Sequence, residues 1–522
     1  MLPQLLDTND ALAHWLAHQQ AAARPVHFVP TMGGLHHGHG TLIERAAATP
    51  ADQGAAVLVS VFVNPLQFSP GEDYACYPRN LAGDLALAGG AGAQALWCPA
   101  VDAIYPDGSA ATPALPAPAA LTRTLCGPGR PGHFDGVVTV MDRLLGLVRP
   151  TLLVLGEKDW QQLVILRAMV GERHPAVRVL AVATQRDVDG LAASSRNRQL
   201  QPQERCQARA LPLALAAAAE QVRQGQRQAT TLTASVGQAL RSAGGAVDYV
   251  ELVDPHQLQP QAQVQQLSLL ATAVRFGATR LIDHRFLMTR APIVAIDGPA
   301  GAGKSTVTRA LARKLDLTYL DTGAMYRAVS WLLRERGVAP QEGTALAAVL
   351  QALELDLDTD AAGAQRVMAN GEDVSSAIRT AVVTALVPAV AALPSVRAAL
   401  TRQQRRLGEQ GGLVAEGRDI GTAVFPAAEL KVYLTATVEE RARRRAVDME
   451  RRGFGVPPLR ELEQEIAERD HLDATRELAP LCRADDAEEL VTDGMTVEAV
   501  VERLVALFRS RVPEEVWPIP RR

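Results

Sequence analysis

Apolar and β-branched residues recur in short runs along the first half of the chain, at residues 26–29, 57–63 and 152–155. Each run leads into a loop and then into a helix-like stretch. This repetition of strand, loop and helix is typical of parallel α/β sheets. We therefore predict an α/β fold for the first half of the chain.

Changes in this pattern predict the domain boundaries. A Pro- and Ala-rich stretch at residues 110–120 breaks the periodicity and is interpreted as a surface loop. From about residue 191 to 286 the helices become rich in Ala and Gln, which indicates a smaller second lobe. A fresh strand at 293–296 then leads into a glycine loop and a helix over 305–315. The predicted domains are residues 1–190, 191–288 and 292–522.

The length and charge of the chain limit its function. With 522 residues and 48% hydrophobic content the chain can bury several cores, and at about 150 residues each it should form three or four structural units. The formal charge of −4 gives no overall field that would collect nucleic acid or an anionic membrane. An anionic substrate must therefore be held by local charge.

The cysteines and the N-terminal sequence indicate a compartment. Five scattered cysteines lack the paired C-x-x-C spacing of zinc or redox sites, and a reducing cytoplasm fits them best. The N-terminus has no basic region ahead of an apolar core, and no apolar run approaches the ~20 residues of a membrane helix. We expect a cytoplasmic protein that is neither exported nor inserted in a membrane.

A glycine-rich loop opens the second half. Residues 298–305, Gly-Pro-Ala-Gly-Ala-Gly-Lys-Ser, match G-x-x-x-x-G-K-S/T between a strand and a helix, and these flanks disfavour an ordinary glycine turn. Glycines let successive backbone N–H groups face phosphates, and the helix N-terminus adds positive potential. Lys304 is expected to act on the terminal phosphates and Ser305 to bind Mg²⁺. The predicted ATP-binding residues of this half are Gly298, Pro299, Ala300, Gly301, Ala302, Gly303, Lys304, Ser305 and Thr306.

Arginines and carboxylates downstream of this loop decide among the protein classes that use it, since kinases, switches and motors share the loop itself. They occur in four groups: Asp321-Thr-Gly-Ala-Met-Tyr-Arg327, Arg397, Glu416-Gly-Arg418-Asp419-Ile-Gly421 and Arg469-Asp470-His-Leu-Asp473-Ala-Thr-Arg476. On these motifs, the sequence from about residue 293 to the C-terminus resembles the cytidylate kinases, a family of P-loop nucleoside monophosphate kinases.

The resemblance implies transfer of the ATP γ-phosphate to CMP or dCMP. The residues implied to bind this acceptor are Thr322, Arg327, Arg397, Arg418, Asp419, Arg469, Asp473 and Arg476. The chemistry agrees, because an acceptor phosphate is already a nucleophile at neutral pH and the enzyme must mainly bring two polyanions into line. Arginine forks can do this, and a carboxylate such as Asp419 or Asp473 can orient them or accept from a base amino group.

Three further positions of this half leave alternatives open. The run Arg441-Ala-Arg-Arg-Arg445 resembles the mobile lid of these kinases, but a basic run on a helix is also typical of a solvated face. Asp321 is a good helix N-cap and is left out of the site. Pro388 stands where members of the family often carry a serine near the nucleotide sugar, which leaves the preference between CMP and dCMP open.

Three histidines follow the first long strand, in Pro30-Thr-Met-Gly-Gly-Leu-His36-His-Gly-His39. His36 and His39 would share one face at the start of the next helix. Because Gly38 allows close backbone approach, two imidazoles and the helix dipole can converge on an α-phosphate under attack. A zinc site is the alternative, disfavoured because no Cys, Asp or Glu lies nearby at ligand spacing.

The histidine motif resembles the H-I-G-H signature of the nucleotidyltransferase superfamily, and five further motifs narrow the resemblance. They are Val61-Phe-Val-Asn-Pro-Leu-Gln67-Phe, Tyr77-Pro-Arg79, Gly129-Arg-Pro-Gly-His-Phe134, Gly156-Glu-Lys158-Asp159-Trp-Gln-Gln162 and Gly190-Leu-Ala-Ala-Ser194-Ser195-Arg196-Asn197. In this order, across about residues 1–285, they resemble the pantothenate synthetases (pantoate–β-alanine ligases). The resemblance implies a Rossmann-like nucleotidyltransferase domain with a small C-terminal lobe.

The same resemblance implies two steps at one site: the pantoate carboxylate attacks the α-phosphate of Mg-ATP to give pantoyl adenylate and pyrophosphate, and β-alanine then displaces AMP. Contacts to ATP are expected from Met32, Gly33, Gly34, Leu35, His36, His37, Gly38, His39, Gly156, Glu157, Lys158, Asp159, Gln185, Ala193, Ser194, Ser195 and Arg196. Of these, His36, His39 and Lys158 are expected to be catalytic, with His39 a candidate proton donor. Gln67 and Gln162 are expected to hold pantoate, because neutral amides leave its carboxylate nucleophilic.

Both halves are thus expected to use ATP with Mg²⁺ on small substrates, with no nucleic-acid or membrane partner, and the resemblance implies a homodimer through the first half. Asp84 is interpreted as a ligand of Mg²⁺ or pyrophosphate, or as a carboxylate on a surface helix. One half could instead be only a nucleotide-binding regulatory or scaffold module, although both retain their charged residues. A tRNA synthetase-like activity is a third alternative, which the near-neutral charge disfavours.

Overall fold

The computed structural model describes residues 2–49, 54–68, 74–75, 77–359, 365–451, 453, 455–475 and 478–518. Contacts divide the chain into two compact units. The first is Met1–Thr289 with Pro513–Val516, and the second is Arg290–Val512 with Trp517–Arg522. The joint at Arg290 lies between the predicted boundaries, whereas the return of Pro513–Val516 to the first unit differs from the prediction. The boundary predicted at residue 191 stays a prediction.

A six-stranded parallel sheet forms the centre of the first unit, in the order β1-β4-β3-β2-β5-β6. Its strands are β1 (Gln4–Leu6), β2 (Val26–Thr31), β3 (Ala56–Val61), β4 (Ala95–Trp97), β5 (Leu152–Gly156) and β6 (Arg178–Val182). The three apolar runs predicted as strands form β2, β3 and β5, which lie side by side in the middle of the sheet. The predicted α/β fold is confirmed.

The helices of the first unit follow the strands. They are α1 (Asn9–Ala21), α2 (His37–Ala47), α3 (Leu81–Gly90), α4 (Val101–Ile104), α5 (Cys126–Gly129), α6 (His133–Val148), α7 (Trp160–Arg173), α8 (Pro202–Ala208), α9 (Ala210–Arg223) and α10 (Ala229–Ser242). Right-handed crossovers between parallel strands place such helices on the sheet faces. The Pro- and Ala-rich stretch contains only two short 3-10 turns, at Ser109–Ala111 and Ala119–Leu121, in agreement with the predicted loop.

An antiparallel sheet that the sequence analysis missed completes the first unit, with strands β7 (Ala246–Val253), β8 (Leu267–Phe276) and β9 (Thr279–Met288). Its central strand β8 is buried along nearly its whole length. Leu269 packs into the core of the parallel-sheet part, while its neighbour Leu270 packs against α9 and α10. Because both faces are buried, β8 lacks the alternation of apolar and polar residues that marks a half-exposed strand.

The second unit contains a five-stranded parallel sheet in the order β11-β15-β10-β16-β17 and a small antiparallel sheet, β12-β13-β14. The strands are β10 (Ile293–Asp297), β11 (Thr318–Asp321), β12 (Leu355–Thr359), β13 (Gln365–Ala369), β14 (Glu372–Asp373), β15 (Leu413–Gly417), β16 (Leu430–Thr435) and β17 (Glu488–Val491). The helices are α11 (Lys304–Leu315), α12 (Thr322–Glu335), α13 (Thr344–Gln351), α14 (Ala381–Ala391), α15 (Pro394–Leu407), α16 (Val438–Arg451), α17 (Leu459–Thr475) and α18 (Val497–Arg511).

The central strand β10 contributes to both cores of this unit, with Ile293 and Ala295 on one face and Val294 and Ile296 on the other. The glycine loop follows the carboxyl end of β10 and leads into the helix α11, at the edge of the sheet where such folds bind ligands. Among the described residues, no single helix has both the length and the apolar composition to cross a bilayer; one pair, α14 and α15, passes that test jointly but is bent by 100°.

Candidate active sites

A cavity of about 890 Å³ lies in the first unit and is lined by the ends of β2 and β5 and the start of α2. Most residues predicted for this site line it together: Met32, His36, Gly38, His39, Gln67, Gly156, Lys158, Asp159, Gln162, Gln185, Ala193, Ser194, Ser195 and Arg196. Five predicted ATP contacts are outside this lining: Gly33, Gly34, Leu35, His37 and Glu157. Loop backbone at the carboxyl ends of parallel strands is where such folds bind ligands.

The two site histidines cap the helix α2. Gly38 N–H donates to His36 Nδ1 at 3.2 Å, and His36 N–H donates to His39 Nδ1 at 3.3 Å. The ring centroids are 4.1 Å apart. Because each Nδ1 accepts from a backbone amide, the proton of each neutral ring is on Nε2. Each imidazole thus presents an Nε2–H donor.

Both imidazoles are held neutral. Burial, and then the Lys158 ammonium, lowers the pKa of His36 to about 4. Burial, and then His36, lowers the pKa of His39 to about 3. At neutral pH the pair therefore offers hydrogen bonds and no imidazolium proton.

We expect acid to destabilise the first unit through these histidines. When the chain unfolds, each pKa returns from about 4 or about 3 to the ordinary 6.5. Unfolding therefore takes up protons, so the stabilising contribution is complete above pH 6.5 and is lost as the pH falls toward 4 and 3. Replacing both residues by Asn keeps an acceptor near each Nδ1 without the titration. Thermal unfolding followed by tryptophan fluorescence should show a smaller acid-induced fall of the midpoint in this variant; an equal fall contradicts the assignment.

Asp84 anchors the glycine turn ahead of the histidines. Its carboxylate is buried at 2% exposure and accepts from Gly34 N–H at 3.1 Å and Leu35 N–H at 2.7 Å, each through a different oxygen. Gly33 and Gly34 have φ values of 80° and 61°, which side chains rarely adopt. The interpretation of Asp84 as a surface carboxylate is wrong: it fixes a glycine turn from 49 and 50 residues away in the sequence.

Asp84→Ala should destabilise the first unit and weaken its use of ATP. Two buried backbone donors would lose their acceptor, and an unsatisfied buried donor costs about 1–3 kcal/mol. The thermal inactivation midpoint of the first unit's ATP-dependent activity is the measurement, and the activity of the second unit in the same molecule is the internal control. Equal midpoints for variant and wild type would rule out the anchoring role.

Gln67 is held in the cavity wall by residues that the sequence analysis did not assign. Asn64 Nδ2 donates to Gln67 Oε1 at 3.2 Å, and Tyr105 donates its hydroxyl proton to Asn64 Oδ1 at 2.7 Å. His133 Nδ1 lies 2.8 Å from the Gln67 carbonyl oxygen. His133 and Asn64 both belong to quoted motifs, so their presence was visible, but the contact with Gln67 depends on the fold.

Polar groups of three chain segments meet elsewhere in the cavity. The Lys158 ammonium lies 3.4 Å from Asp159 Oδ1, and Lys158, despite the opposing effect of burial, lowers the pKa of that carboxyl. Ser195 Oγ lies 3.3 Å from the hydroxyl of Tyr77. Ser194 accepts from Arg196 N–H and caps the turn Ser195–Gln199. The cavity wall thus combines a cation, hydroxyls and backbone amides.

The glycine loop of the second unit has the geometry of a phosphate-binding loop. Gly301 and Gly303 have φ values of 79° and 87°. A Cβ on Gly298 would lie only 2.0 Å from the carbonyl oxygen of Leu434, so only glycine fits there. Lys304 is buried and donates to the carbonyl oxygens of Gly298 at 2.7 Å and Pro299 at 2.8 Å. Burial, and then Arg418, lowers the pKa of Lys304.

Two carboxylates that were not assigned to the site lie around this loop. Asp297 accepts from Ile420 N–H at 2.8 Å and Gly421 N–H at 2.7 Å, and burial raises its pKa to about 6. Glu416 Oε1 accepts from Ser305 Oγ at 2.7 Å and from Tyr319 at 2.8 Å. In the sequence, the one indication of a role for Asp297 is its position as the last residue of the strand, directly before the glycine loop.

The predicted acceptor residues form carboxylate–arginine pairs. Arg397 donates to Asp419 in a buried pair, and Arg418 donates to Asp473 at 3.0 Å. Asp321 caps the start of α12 by accepting from Ala324 N–H. It also accepts from the Arg327 guanidinium at 2.7 Å, so the Asp321 carboxylate does more than cap a helix.

Three further predicted positions remain. Thr322 donates to the Glu416 carbonyl oxygen at 2.7 Å. Burial, and then Arg418, lowers the pKa of Arg469. Arg476 lies outside the described residues.

The basic run on α16 is largely bound to the protein. Arg441 is buried and donates to both oxygens of Asp470 at 3.0 and 2.6 Å. Arg444 donates to the carbonyl oxygen of Thr492 and to that of Ala302 in the glycine loop. The solvated-face interpretation is therefore wrong for these two arginines. Pro388 lies exposed within α14, and the preference between CMP and dCMP stays open.

Family models match both halves of the chain: Pantoate-beta-alanine ligase over residues 4–286 and Cytidylate kinase over residues 294–510. The chain is 60% identical over 516 residues to a bifunctional pantoate ligase/cytidylate kinase of Parasynechococcus marenigrum (strain WH8102), covering 99% of this chain and 100% of the relative. A bifunctional pantoate ligase/cytidylate kinase of Prochlorococcus marinus (strain MIT 9313) is 59% identical, covering 97% and 99%. The crystal structure of pantothenate synthetase from Thermus thermophilus is 40% identical, covering 54% and 98%, with a TM-score of 0.49.

Proposed function

The chain belongs to the bifunctional pantoate ligase/cytidylate kinase family, and from this premise we propose which residues carry each reaction. The first unit is a pantoate–β-alanine ligase and the second is a cytidylate kinase. One observation best supports the assignment of one reaction to each unit. The predicted residues form two separate clusters, one around the cavity at His36 and one around the loop at Lys304.

In the ligase, a pantoate carboxylate oxygen forms a bond to the α-phosphorus of ATP while the bond to pyrophosphate breaks. The Nε2–H donors of His36 and His39 and the ammonium of Lys158 stabilise the negative charge that develops on the phosphoryl oxygens. The β-alanine nitrogen then attacks the acyl carbon, AMP leaves with the bonding electron pair, and the nitrogen loses a proton. The low pKa of His39 supports a role as hydrogen-bond donor in place of the proton donation first expected.

Pantoate binding by Gln67 and Gln162 rests on their place in the cavity wall. The Gln67 side chain already accepts from Asn64, which fixes its orientation. Neutral amides bind the hydroxyls and the carboxylate without neutralising the nucleophile.

In the kinase, a CMP phosphate oxygen attacks the γ-phosphorus of ATP and ADP leaves. Lys304 and the loop amides bind the ATP phosphates, and Arg327, Arg397 and Arg418 hold the acceptor. Carboxylates pair with these arginines and fix their orientation, as the pairs Arg397–Asp419 and Arg418–Asp473 illustrate. Placing two polyanions in line accounts for the many arginines and the lack of an assigned base.

Mg²⁺ fits the oxygen groups beside the glycine loop. Ser305 Oγ lies 2.7 Å from Glu416 Oε1, and Glu416 Oε2 is buried and accepts no hydrogen bond from the residues that the structure describes. Hard oxygen donors of this kind suit Mg²⁺. Ser305 and Glu416 would hold the ion, which supplies neutralisation of the phosphate charge when bound.

Product analysis tests both assignments. With ATP, pantoate and β-alanine, the enzyme should form AMP, pyrophosphate and pantothenate; with ATP and CMP, dCMP or UMP in separate reactions, it should form ADP and show the acceptor preference. ADP in the first reaction or AMP in the second would contradict the assignment of the two sites.

We also propose a cellular compartment and an oligomeric state. Cys98, Cys126, Cys206 and Cys482 are free thiols, which supports a reducing cytoplasm. The homodimer through the ligase half stays a prediction, and sedimentation equilibrium of the full chain measures it.

A further inference from the structure

Four residues beyond the last helix of the kinase belong to the ligase unit. Pro513–Val516 follow one residue after the end of α18 and cluster with the first unit. We call this segment the C-terminal clasp. Pro513 and Glu514 are buried, and Val516 packs against the main core of the ligase unit. A buried, hydrogen-bonded segment is not a free chain end, so its contacts bear on the unit that it joins.

The backbone of the C-terminal clasp satisfies a buried carboxylate of the ligase. Glu157 is 1% exposed, and its two oxygens accept from Glu514 N–H at 2.8 Å and Glu515 N–H at 2.9 Å. Glu157 begins the turn Glu157–Asp159, whose next residue is Lys158. The orientation of the Lys158 turn is therefore coupled to the end of the chain.

The two glutamate side chains bind further segments around the cavity. Glu514 accepts from Arg45 on α2 at 2.6 Å and from Ala183 N–H at 3.4 Å. Glu515 lies 3.5 Å from His284 Nε2 and 3.7 Å from Arg186 Nη2. Ala183 and His284 line the cavity.

Arg186 links the clasp to a second buried carboxylate. Besides its ion pair with Glu515, it donates hydrogen bonds to both oxygens of Asp283 at 2.7 and 3.0 Å. Asp283 lines the cavity next to His284, and Gln185, a proposed ATP contact, directly precedes Arg186. The clasp thus ties together α2, the Lys158 turn, the segment at Gln185 and β9.

We propose that Glu514 and Glu515 are positioning residues of the ligase: they hold the segments that contact ATP although they lie after the kinase in the sequence. The proposal rests on the ATP contacts proposed above for Lys158 and Gln185. Because the carboxylates of the buried Glu514 and the largely buried Glu515 pair with cations from separate segments, removing their charge leaves Arg45, Arg186 and His284 without their acidic partners in the clasp. Small displacements of the groups that contact ATP then weaken the binding of that substrate in particular.

The test is the double variant Glu514→Gln/Glu515→Gln in the full chain. We expect the ligase KM for ATP to rise by about 10-fold, with a smaller change in the KM for β-alanine, because the clasp contacts the proposed ATP segments. The kinase constants should stay unchanged. The matched control is Glu488→Gln/Glu489→Gln, two adjacent glutamates of β17 that pair with Arg511 and Arg483 at 3.1 and 3.0 Å; its ligase constants should equal those of the wild type.

A chain without the clasp provides a second test. A chain ending at Val512 should show the same rise in the KM for ATP, measured at a temperature where the ligase unit is folded by fluorescence. Unchanged ligase constants in the folded double variant overturn the proposal. So does an equal loss in kcat and in every KM together with a lowered thermal midpoint, because that pattern means a structural role alone. Failure of the wild type itself to form pantothenate would overturn the proposed function instead.

Discussion

We expect Lys304→Ala to reduce CMP-dependent formation of ADP at least about 100-fold, while pantoate-dependent formation of AMP continues at the wild-type rate. Lys304 lies at the start of α11, buried beside the glycine loop, and its ammonium is the group proposed to bind the transferring phosphates. Removing one donor to developing charge typically costs about 100- to 1000-fold in kcat. Coupled assays for ADP and AMP on the same preparation measure both activities.

The control for this result is Lys314→Ala, on the same helix. Lys314 pairs with Glu502 and is partly exposed, so its loss should leave both activities intact. Loss of both activities in a well-folded Lys304→Ala protein would contradict the independence of the two sites. It would also favour the alternative in which one half only binds nucleotide to regulate the other.

His39→Ala is expected to reduce ligase kcat by about 100- to 1000-fold and to spare the kinase, because it removes an Nε2–H donor from the cavity. Two other variants distinguish the roles of the two nitrogen atoms of the His39 ring. His39→Asn keeps an acceptor near Nδ1 for His36 N–H but no donor at Nε2, so it should be as impaired as alanine. His39→Gln can place an amide donor near Nε2 and should recover part of the rate.

His14→Ala is the matched control, since His14 is an exposed histidine on α1. Stopped assays for pantothenate and CDP on the same samples give both rates. A ligase rate that is unchanged in His39→Ala would remove His39 from the mechanism, and a rate in His39→Asn well above that of His39→Gln would contradict the donor role of Nε2.

The parts of this molecule that the sequence predicted are those that local pattern determines. The strand β10, the glycine loop and the helix α11 follow from an apolar run, glycine spacing and a helical segment within about two dozen residues. The histidine pair is equally local, since its capping contacts join residues two and three positions apart. The order of the motifs in each half then indicated the two families that the chain resembles.

The parts that the sequence did not predict depend on contacts between distant residues. Asp84 reaches its loop across 49 and 50 residues, and Asp297 reaches Ile420 and Gly421 across 123 and 124. The antiparallel sheet was missed because β8 is buried on both faces and carries no alternating pattern. A carboxylate's sequence position gives its charge but not the backbone donors that the fold brings to it.

The position of the C-terminal clasp has a consequence for the synthesis of the protein. A ribosome that has finished the ligase residues must still make the whole stretch Arg290–Val512 before it reaches Pro513. At roughly 5–20 residues per second, translation of those about 220 residues takes roughly 10–45 s. During this interval the carboxylate of Glu157 lacks the two backbone donors that Glu514 and Glu515 provide in the full chain. A change that removes or displaces Pro513–Val516 would therefore alter the ligase, although these residues are encoded after the kinase.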